Sequence, residues 1–405
     1  MNKTAILIVI DAVGIDTLKF LIENYPGKIK IPNLLDLGLS TLIENTYSRN
    51  KKNSKKGKLI QIDQISTTAD SLIGHREMVG VIDRNSYNLF PDGFPKDYLL
   101  KLEKAVGRKT FFNKMAGGME AIELNYKHHE KTGDLIIYAS KCDPLIQIAM
   151  NEEIIPLKEQ KYIADTAFKL AIEQKLGITR AIARSYIRRN NEIIRTANRY
   201  DAVLPLSGKT LIDIMNENFV WTIAVGKTSD LVNTNYYEKI KITNKALIDP
   251  SLNIKFVHPA HKDTNPFNMQ GIINAFKSSK IIYRPNGSFI FANLVDTDSL
   301  YGHTRDIKGA VCAIEEIDRF IGKFIKMITK DDLLIITADH GMQHRQDYGY
   351  HNKEKLFAIL YPELKNIKTQ VMPGLCDIGN ILAQFFELEK PYSKLVKDQL
   401  EKLNL

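Results

Sequence analysis

An α/β fold with a mostly parallel sheet and an inserted α/β domain is what this sequence predicts. Three observations carry the prediction: short apolar runs recur between amphipathic stretches, carboxylates stand just past several of those runs, and 405 residues exceed what a single core absorbs. The runs AILIVID (5–11), KLIQID (58–63), DLIIYAS (134–140), WTIAVG (221–226), SFIFANLVD (288–296) and DLLIITAD (332–339) are short, rich in β-branched residues and bounded by polar or turn residues, so they read as strands. IKGAVCAIEEIDRFIGKFIKMI (307–328) repeats its apolar residues at helical spacing.

The first strand opens the chain. MNKTAILIVIDAVG has one lysine before an apolar run, but Asp11 interrupts it and no small-residue cleavage site follows, which argues for a strand rather than a signal peptide. The basic run RNKKNSKKGK (49–58) lacks interleaved aromatics for stacking on bases and reads as a solvated loop or hairpin turn. TTADSLIGHREMVG (67–80) places Ser71 at the start of a short helix, where exposed N–H groups and the helix dipole attract phosphate; Asp70 or Ser71 as a plain N-cap is the alternative. Residues 93–207 mix strands, helices and many arginines and read as an inserted domain, with 1–92 and 208–405 sharing one core.

Composition narrows the function classes. Hydrophobic content of 44% and charged content of 25% are those of a soluble globular protein, and no apolar stretch approaches the ~18 residues that span a bilayer. Three scattered cysteines, Cys142, Cys312 and Cys376, suit a reducing, cytoplasmic setting without a disulfide framework. The net charge of +9 favours anionic partners. That charge alone does not choose among nucleic acid, membrane and phosphorylated metabolites, but no nucleic-acid-binding module is present, so neither nucleic acid nor membrane is expected.

In parallel sheets ligands collect at the carboxyl ends of strands. Asp11 follows the first run, DTDSLYGH (296–303) offers Asp298 and His303, and ADHGMQHRQDYGYH (338–351) offers Asp339, His340 and His351. Any one of these alone is more often a turn former or loop polarity. Three such clusters at equivalent strand ends suit Mn²⁺, Zn²⁺ or Fe²⁺, and six ligands suffice for two ions. His344, in MQHRQD, is expected to be loop or a support to the ligands. Ser71 is the candidate nucleophile for phosphoryl transfer beside such ions.

VIDAVGI, IPNLLDLGL, DSLIGHREMVG, FPDGFP, GRKTFFNKMAGG, KTGDLIIYAS, IARSY, RTANRYD, AVGK, NLVDTDSLYGHTRD and TADHG occur in an order that resembles the phosphopentomutases of the alkaline phosphatase superfamily, which are related to cofactor-independent phosphoglycerate mutases. The resemblance runs from Asp11 to about Phe386. It implies an alkaline-phosphatase-like core interrupted by a cap domain, and interconversion of ribose or deoxyribose 1-phosphate and 5-phosphate through a phosphorylated enzyme residue. It also implies two Mn²⁺ ions, other divalent metals being possible, and a sugar 1,6-bisphosphate primer.

Position by position, the resemblance puts metal ligands at Asp11, Asp298, His303, Asp339, His340 and His351, and the nucleophile at Ser71, where the family normally has threonine. Substrate contacts fall on Ser140, Asp143, Arg184, Arg195 and Lys227. Asp143 is matched through a one-residue insertion in ASKCDP, with Cys142 the neighbouring alternative. Three departures stand out: the chain passes directly from VIDAVGI to DTLKFL, Arg76 replaces an aromatic in GHREM, and FVHPAHKDTNPFNMQG (256–271) differs from the family's stretch. They leave open a mutase or phosphohydrolase for a different phosphorylated metabolite. A non-catalytic binding protein is the reading from another class, disfavoured because ligands and nucleophile are all present.

Overall fold

The computed structural model describes residues 2–43, 56–190, 192–196, 198–252, 264–345 and 348–404. Residues 49–55 of the basic run and 256–263 of the departing segment lie outside the described residues. The chain divides into two compact units, one formed by 1–84 with 206–405 and the other by 85–205.

The larger unit is built on a sheet of strand order Glu238–Ile240, Trp221–Val225, Ser288–Leu294, Thr4–Ile10, Asp332–Thr337, Leu356–Tyr361 and Lys58–Ile62. Pairings are parallel from the first to the fifth strand, and antiparallel on either side of Leu356–Tyr361. The expected mixed α/β class with a largely parallel sheet is therefore what the chain adopts.

Central strands of such a sheet are buried on both faces, which is why they read as unbroken apolar runs. Successive side chains alternate between two cores. Ile6, Ile8 and Ile10 pack with Leu334 and Ile336 on one side, and Ala5, Leu7 and Val9 with Leu333 and Ile335 on the other. The helix Ile307–Phe324 lays Val311, Ile314, Ile317 and Ile321 into the first core, each worth about 1.5–3 kcal/mol on burial. The helix Cys376–Phe385 closes the second with Ile378, Ile381 and Leu382. Thr4–Ile10, Ser288–Leu294 and Asp332–Thr337 are neighbouring parallel strands, so Asp11, Asp296 and Asp339 leave the sheet at the same edge.

The 85–205 unit has its own mixed sheet, ordered Thr110–Met115, Leu135–Ala139, Leu145–Asn151, Arg180–Arg189 and Glu192–Arg195, with Tyr200–Val203 also paired to Arg180–Arg189. The helices Lys96–Val106 and Leu157–Glu173 bury Tyr98, Leu102, Ile163, Ala164 and Ala167 in one core. The helix Gly118–Thr132 buries Ala121 and Ile122 against Ile136 and Tyr138 in another. Among the described residues no helix is long and apolar enough to cross a membrane.

Candidate metal and phosphoryl-transfer site

Asp70 ends an extended segment and caps the helix Ser71–Met78, its Oδ1 accepting from Leu72 N at 2.8 Å. Ser71 is therefore the first helical residue. Gly74 lets this helix press against the end of the Asp332–Thr337 strand, since a Cβ there would meet the Asp339 carbonyl oxygen at 2.5 Å. The result brings Ser71 Oγ to 3.1 Å from Asp11 Oδ1 and 3.2 Å from His340 Nε2.

Asp11 is held from several sides. Its Oδ2 accepts from Asn293 Nδ2 at 2.8 Å, and its carbonyl oxygen accepts from Thr297 Oγ1 at 2.5 Å. Ala12 takes a φ of 58°, a left-handed conformation that costs an alanine about 1 kcal/mol. Its N–H donates to Asp339 Oδ1 at 3.1 Å, and so does His340 N at 3.1 Å.

Asp298 forms the second focus. His351 Nε2 lies 3.0 Å and His303 Nε2 3.3 Å from its Oδ1. Between His340 and His351, Gly341–His344 and Gly349–Asn352 pair as antiparallel strands, with Met342 opposite His351. That register sets the His351 ring 4.1 Å from His340 between centroids. His344 belongs to the first of these strands and stacks on Phe20 at 4.8 Å, with burial pulling its imidazole down from the ordinary value. It is a packing residue among the described contacts.

Cation-binding groups of this kind form two overlapping trios, Asp11–Asp339–His340 and Asp298–His340–His351, with ligand atoms within 4.8 Å of one another in each. Electrostatics follow from that crowding. Burial, then the charges of Asp339 and Asp298, raises the Asp11 carboxyl above its ordinary value. Burial opposes charge on Asp298 and Asp339 too, but His303 and His351 at the first and His340 and His75 at the second hold both below the usual carboxylate range. Burial likewise opposes charging His340, and Asp339 with Asp11 and Asp298 outweighs it, so that imidazole is held well above its usual value.

The donor set fits divalent cations. Three buried or nearly buried carboxylates converge, and such charges are costly without a cation to balance them. Asp339 Oδ2 is buried and accepts no aligned hydrogen bond among the described residues. His340 and His303 each set Nδ1 at 3.0 Å from a backbone carbonyl, of Gly341 and of Gly349, which orients each ring with Nε2 toward the carboxylates.

The structure thus brings together Ser71 with Asp11, Asp339 and His340, and Asp298 with His303 and His351. Ser140, Asp143, Arg184 and Arg195 lie in the 85–205 unit. There Asp143 N donates to Ser140 Oγ at 3.3 Å, and Arg180 Nη2 stands 3.5 Å from Asp143 Oδ1. Arg184 Nε donates to Gln147 Oε1 at 2.9 Å; burial and then the neighbouring cation of Arg199 pull its guanidinium down to about 9. Lys227 sits in the larger unit just before the turn of helix Thr228–Leu231, and its charge acts on Asp296. Burial pushes Asp296 up to about 7.

Sequence reasoning missed His75, Asn293 and Thr297. His75 is one helical turn beyond Ser71, so i,i+4 spacing was the available signal. Asn293 pairs in register with Val9, so a polar residue near the end of an apolar strand was the other.

The metalloenzyme superfamily family model matches residues 3–390. The phosphopentomutase of Clostridium kluyveri is 34% identical over 421 residues, covering 100% of this chain and 96% of the relative. That of Clostridium acetobutylicum is 33% identical over 408 residues, covering 96% of each. Among solved structures, a phosphoglycerate mutase of Leishmania mexicana is similar at a TM-score of 0.42 and 10% identity over 95% of each chain.

Proposed function

This chain belongs to the phosphopentomutase family within the metalloenzyme superfamily, and from that premise we propose that it interconverts (deoxy)ribose 1-phosphate and (deoxy)ribose 5-phosphate with Ser71 as the residue that carries the phosphoryl group. It is an isomerase of the phosphotransferase-mutase type and depends on divalent metal. The observation that supports Ser71 most directly is its Oγ at 3.1 Å from Asp11 and 3.2 Å from His340, at the N-terminus of a helix.

The reaction we infer is a double displacement. A hydroxyl oxygen of the sugar monophosphate attacks the phosphorus on Ser71, the P–O bond to Ser71 breaks, and a sugar bisphosphate forms. The bisphosphate reorients, Ser71 Oγ attacks its other phosphorus, and the isomeric monophosphate leaves. A sugar 1,6-bisphosphate would prime the dephosphorylated enzyme. Two divalent cations, Mn²⁺ in our reading, held by Asp11, Asp298, His303, Asp339, His340 and His351, would lower the pKa of the serine hydroxyl and neutralise non-bridging phosphoryl oxygens.

The protein's own groups do the rest. Asn293 and Thr297 hold Asp11, so Ser71 Oγ meets a fixed acceptor. The helix N-terminus at Ser71 favours the anionic phosphoryl group. We assign the 85–205 unit the role of a cap that excludes water, because water attacking phospho-Ser71 turns a mutase into a phosphatase. Ser140, Asp143, Arg184 and Arg195, with Lys227 of the larger unit, are assigned to the sugar phosphate; arginine suits it through bidentate donation.

A second reading, a mutase or phosphohydrolase for a different phosphorylated metabolite, draws on Arg76. It is buried, and its Nε donates to the Leu231 carbonyl at 3.1 Å, close to the segment that bears Lys227. The deciding experiment incubates the protein with Mn²⁺, glucose 1,6-bisphosphate and ribose 1-phosphate and follows ribose 5-phosphate. Isomerisation is expected. Release of inorganic phosphate instead selects the hydrolase, and no reaction by folded, metal-loaded protein overturns the pentose reading.

A further inference from the structure

We propose that His75 is a positioning residue that sets the plane of the Asp339 carboxylate for cation binding, while pinning the backbone of Ser71 to the same point. The proposal rests on the reading of Asp339 as a metal ligand given above. His75 is fully buried, and its Nδ1 lies 2.8 Å from the Ser71 carbonyl oxygen and 3.2 Å from Asp339 Oδ2. Both neighbours are acceptors, so Nδ1 carries the hydrogen. The aligned hydrogen bond goes to Ser71, and the positive N–H edge of the ring faces Asp339 Oδ2.

The two oxygens of Asp339 are held differently. Oδ1 accepts from two backbone N–H groups, Ala12 and His340, both at 3.1 Å. Those bonds hold one oxygen and leave Oδ2 without an aligned donor of its own among the described residues. His75 Nδ1 stands 3.2 Å from Oδ2, nearer than His340 Nε2 at 3.8 Å. The N–H edge of His75 gives Oδ2 an attractive contact of its own, which biases rotation of the carboxylate about Cβ–Cγ.

The ring is itself held for this task. It stacks on Phe291 at 5.5 Å between centroids and 25° between planes, and its Nε2 is buried without a hydrogen-bond partner among the described residues. A buried imidazole that leaves one nitrogen unsatisfied gives up part of its bonding capacity. The nitrogen that is used is the one turned to Ser71 and Asp339. Gly74 permits the close approach that makes the geometry possible. Groups that orient a metal ligand from behind typically change metal affinity by about 10–100-fold when removed.

The test is a calorimetric titration of Mn²⁺ into the full, metal-stripped chain. His75→Phe keeps the ring and its stacking but has no donor, and His75→Asn keeps a donor near the position of Nδ1. His75→Phe should bind Mn²⁺ about 10–100-fold more weakly while the metal-free protein still folds, and His75→Asn should stay within about threefold of wild type. Equal affinity of His75→Phe and wild type overturns the proposal. Where His75→Phe does not fold, His75→Gln replaces it, because its amide nitrogen reaches the position of Nε2 instead. Weaker binding by Gln than by Asn then supports the proposal, and equal binding by the two overturns it. Wild type that takes up no Mn²⁺ overturns the metal reading and this role with it.

Discussion

Ser71 Oγ and Asp11 Oδ1 are 3.1 Å apart although 60 positions separate the two residues along the chain. One opens a short helix and the other ends the central strand, and their meeting makes a serine hydroxyl the neighbour of a fixed carboxylate. Replacement by alanine removes one oxygen and leaves the helix cap on Asp70 intact. Ser71→Ala should therefore fold normally, lose covalent labelling by a phosphoryl donor, and lose activity by at least ~10³-fold. Ser71→Thr should retain labelling. Persistent labelling of Ser71→Ala, read by intact-protein mass spectrometry, would place the nucleophile elsewhere.

Chelation should lower the melting temperature, because Asp11, Asp339 and Asp298 crowd together and each raises the cost of the others' charge. Mn²⁺ at ~100 times its Kd should add about 2.7 kcal/mol to stability. Asp298→Asn should lose part of that increment. Identical melting curves with and without Mn²⁺ would contradict the assignment.

The strand that carries His351 leans on the loop that carries His303. Gly349 N donates to the His303 carbonyl at 3.2 Å, and a Cβ at Gly349 would stand 2.1 Å from the Gly302 carbonyl oxygen. Gly349→Ala should force the two segments apart and weaken Mn²⁺ binding by roughly tenfold, with little change in far-UV circular dichroism. Unchanged affinity in a calorimetric titration would show that the strand adapts without moving His351.

Arg184 is expected to act on the substrate anion rather than on stability. Arg184→Ala should raise KM for the sugar phosphate by about 10–100-fold, the equivalent of ~1.5–3 kcal/mol for a hydrogen bond to a charged group. Steady-state kinetics decide it, and a fall in kcat at constant KM would argue against a binding role.

Asp318 supplies a pH dependence away from the site. Burial pushes its carboxyl up to about 6, against the hydrogen bonds it accepts from Leu34 N and Asn33. A raised carboxyl makes the native state the stronger proton binder between about pH 4 and 6, so stability falls as pH rises through that window, by roughly 3 kcal/mol at most. Urea midpoints of Asp318→Asn should vary less with pH across that window than those of wild type. Parallel profiles would show that the donors cancel the burial cost.

Much of the fold was legible because buried parallel strands leave a simple mark. AILIVI, SFIFANL and DLLIIT are mostly apolar, and a carboxylate one or two residues past each run announces the strand's end. The ligand types were legible for the same reason: aspartates and histidines gathered where an α/β sheet collects its ligands. His75 and Asn293 were not, because a histidine in a helix and an asparagine in a strand mean nothing until their neighbours are known.

By itself, the sequence determined the class of fold, the family and the inventory of cation-binding groups, since these follow from periodicity and from motifs read in order. Tertiary structure decided which groups meet. MQHRQDYGYH has no apolar pattern to declare paired strands, yet pairing of Met342 with His351 carries that histidine to Asp298 and His340. The contact of Ser71 with Asp11 likewise depends on a glycine at 74 that lets a helix touch a strand end. Local propensity acts over a few residues, and these distances are set by the packing of segments far apart in the chain.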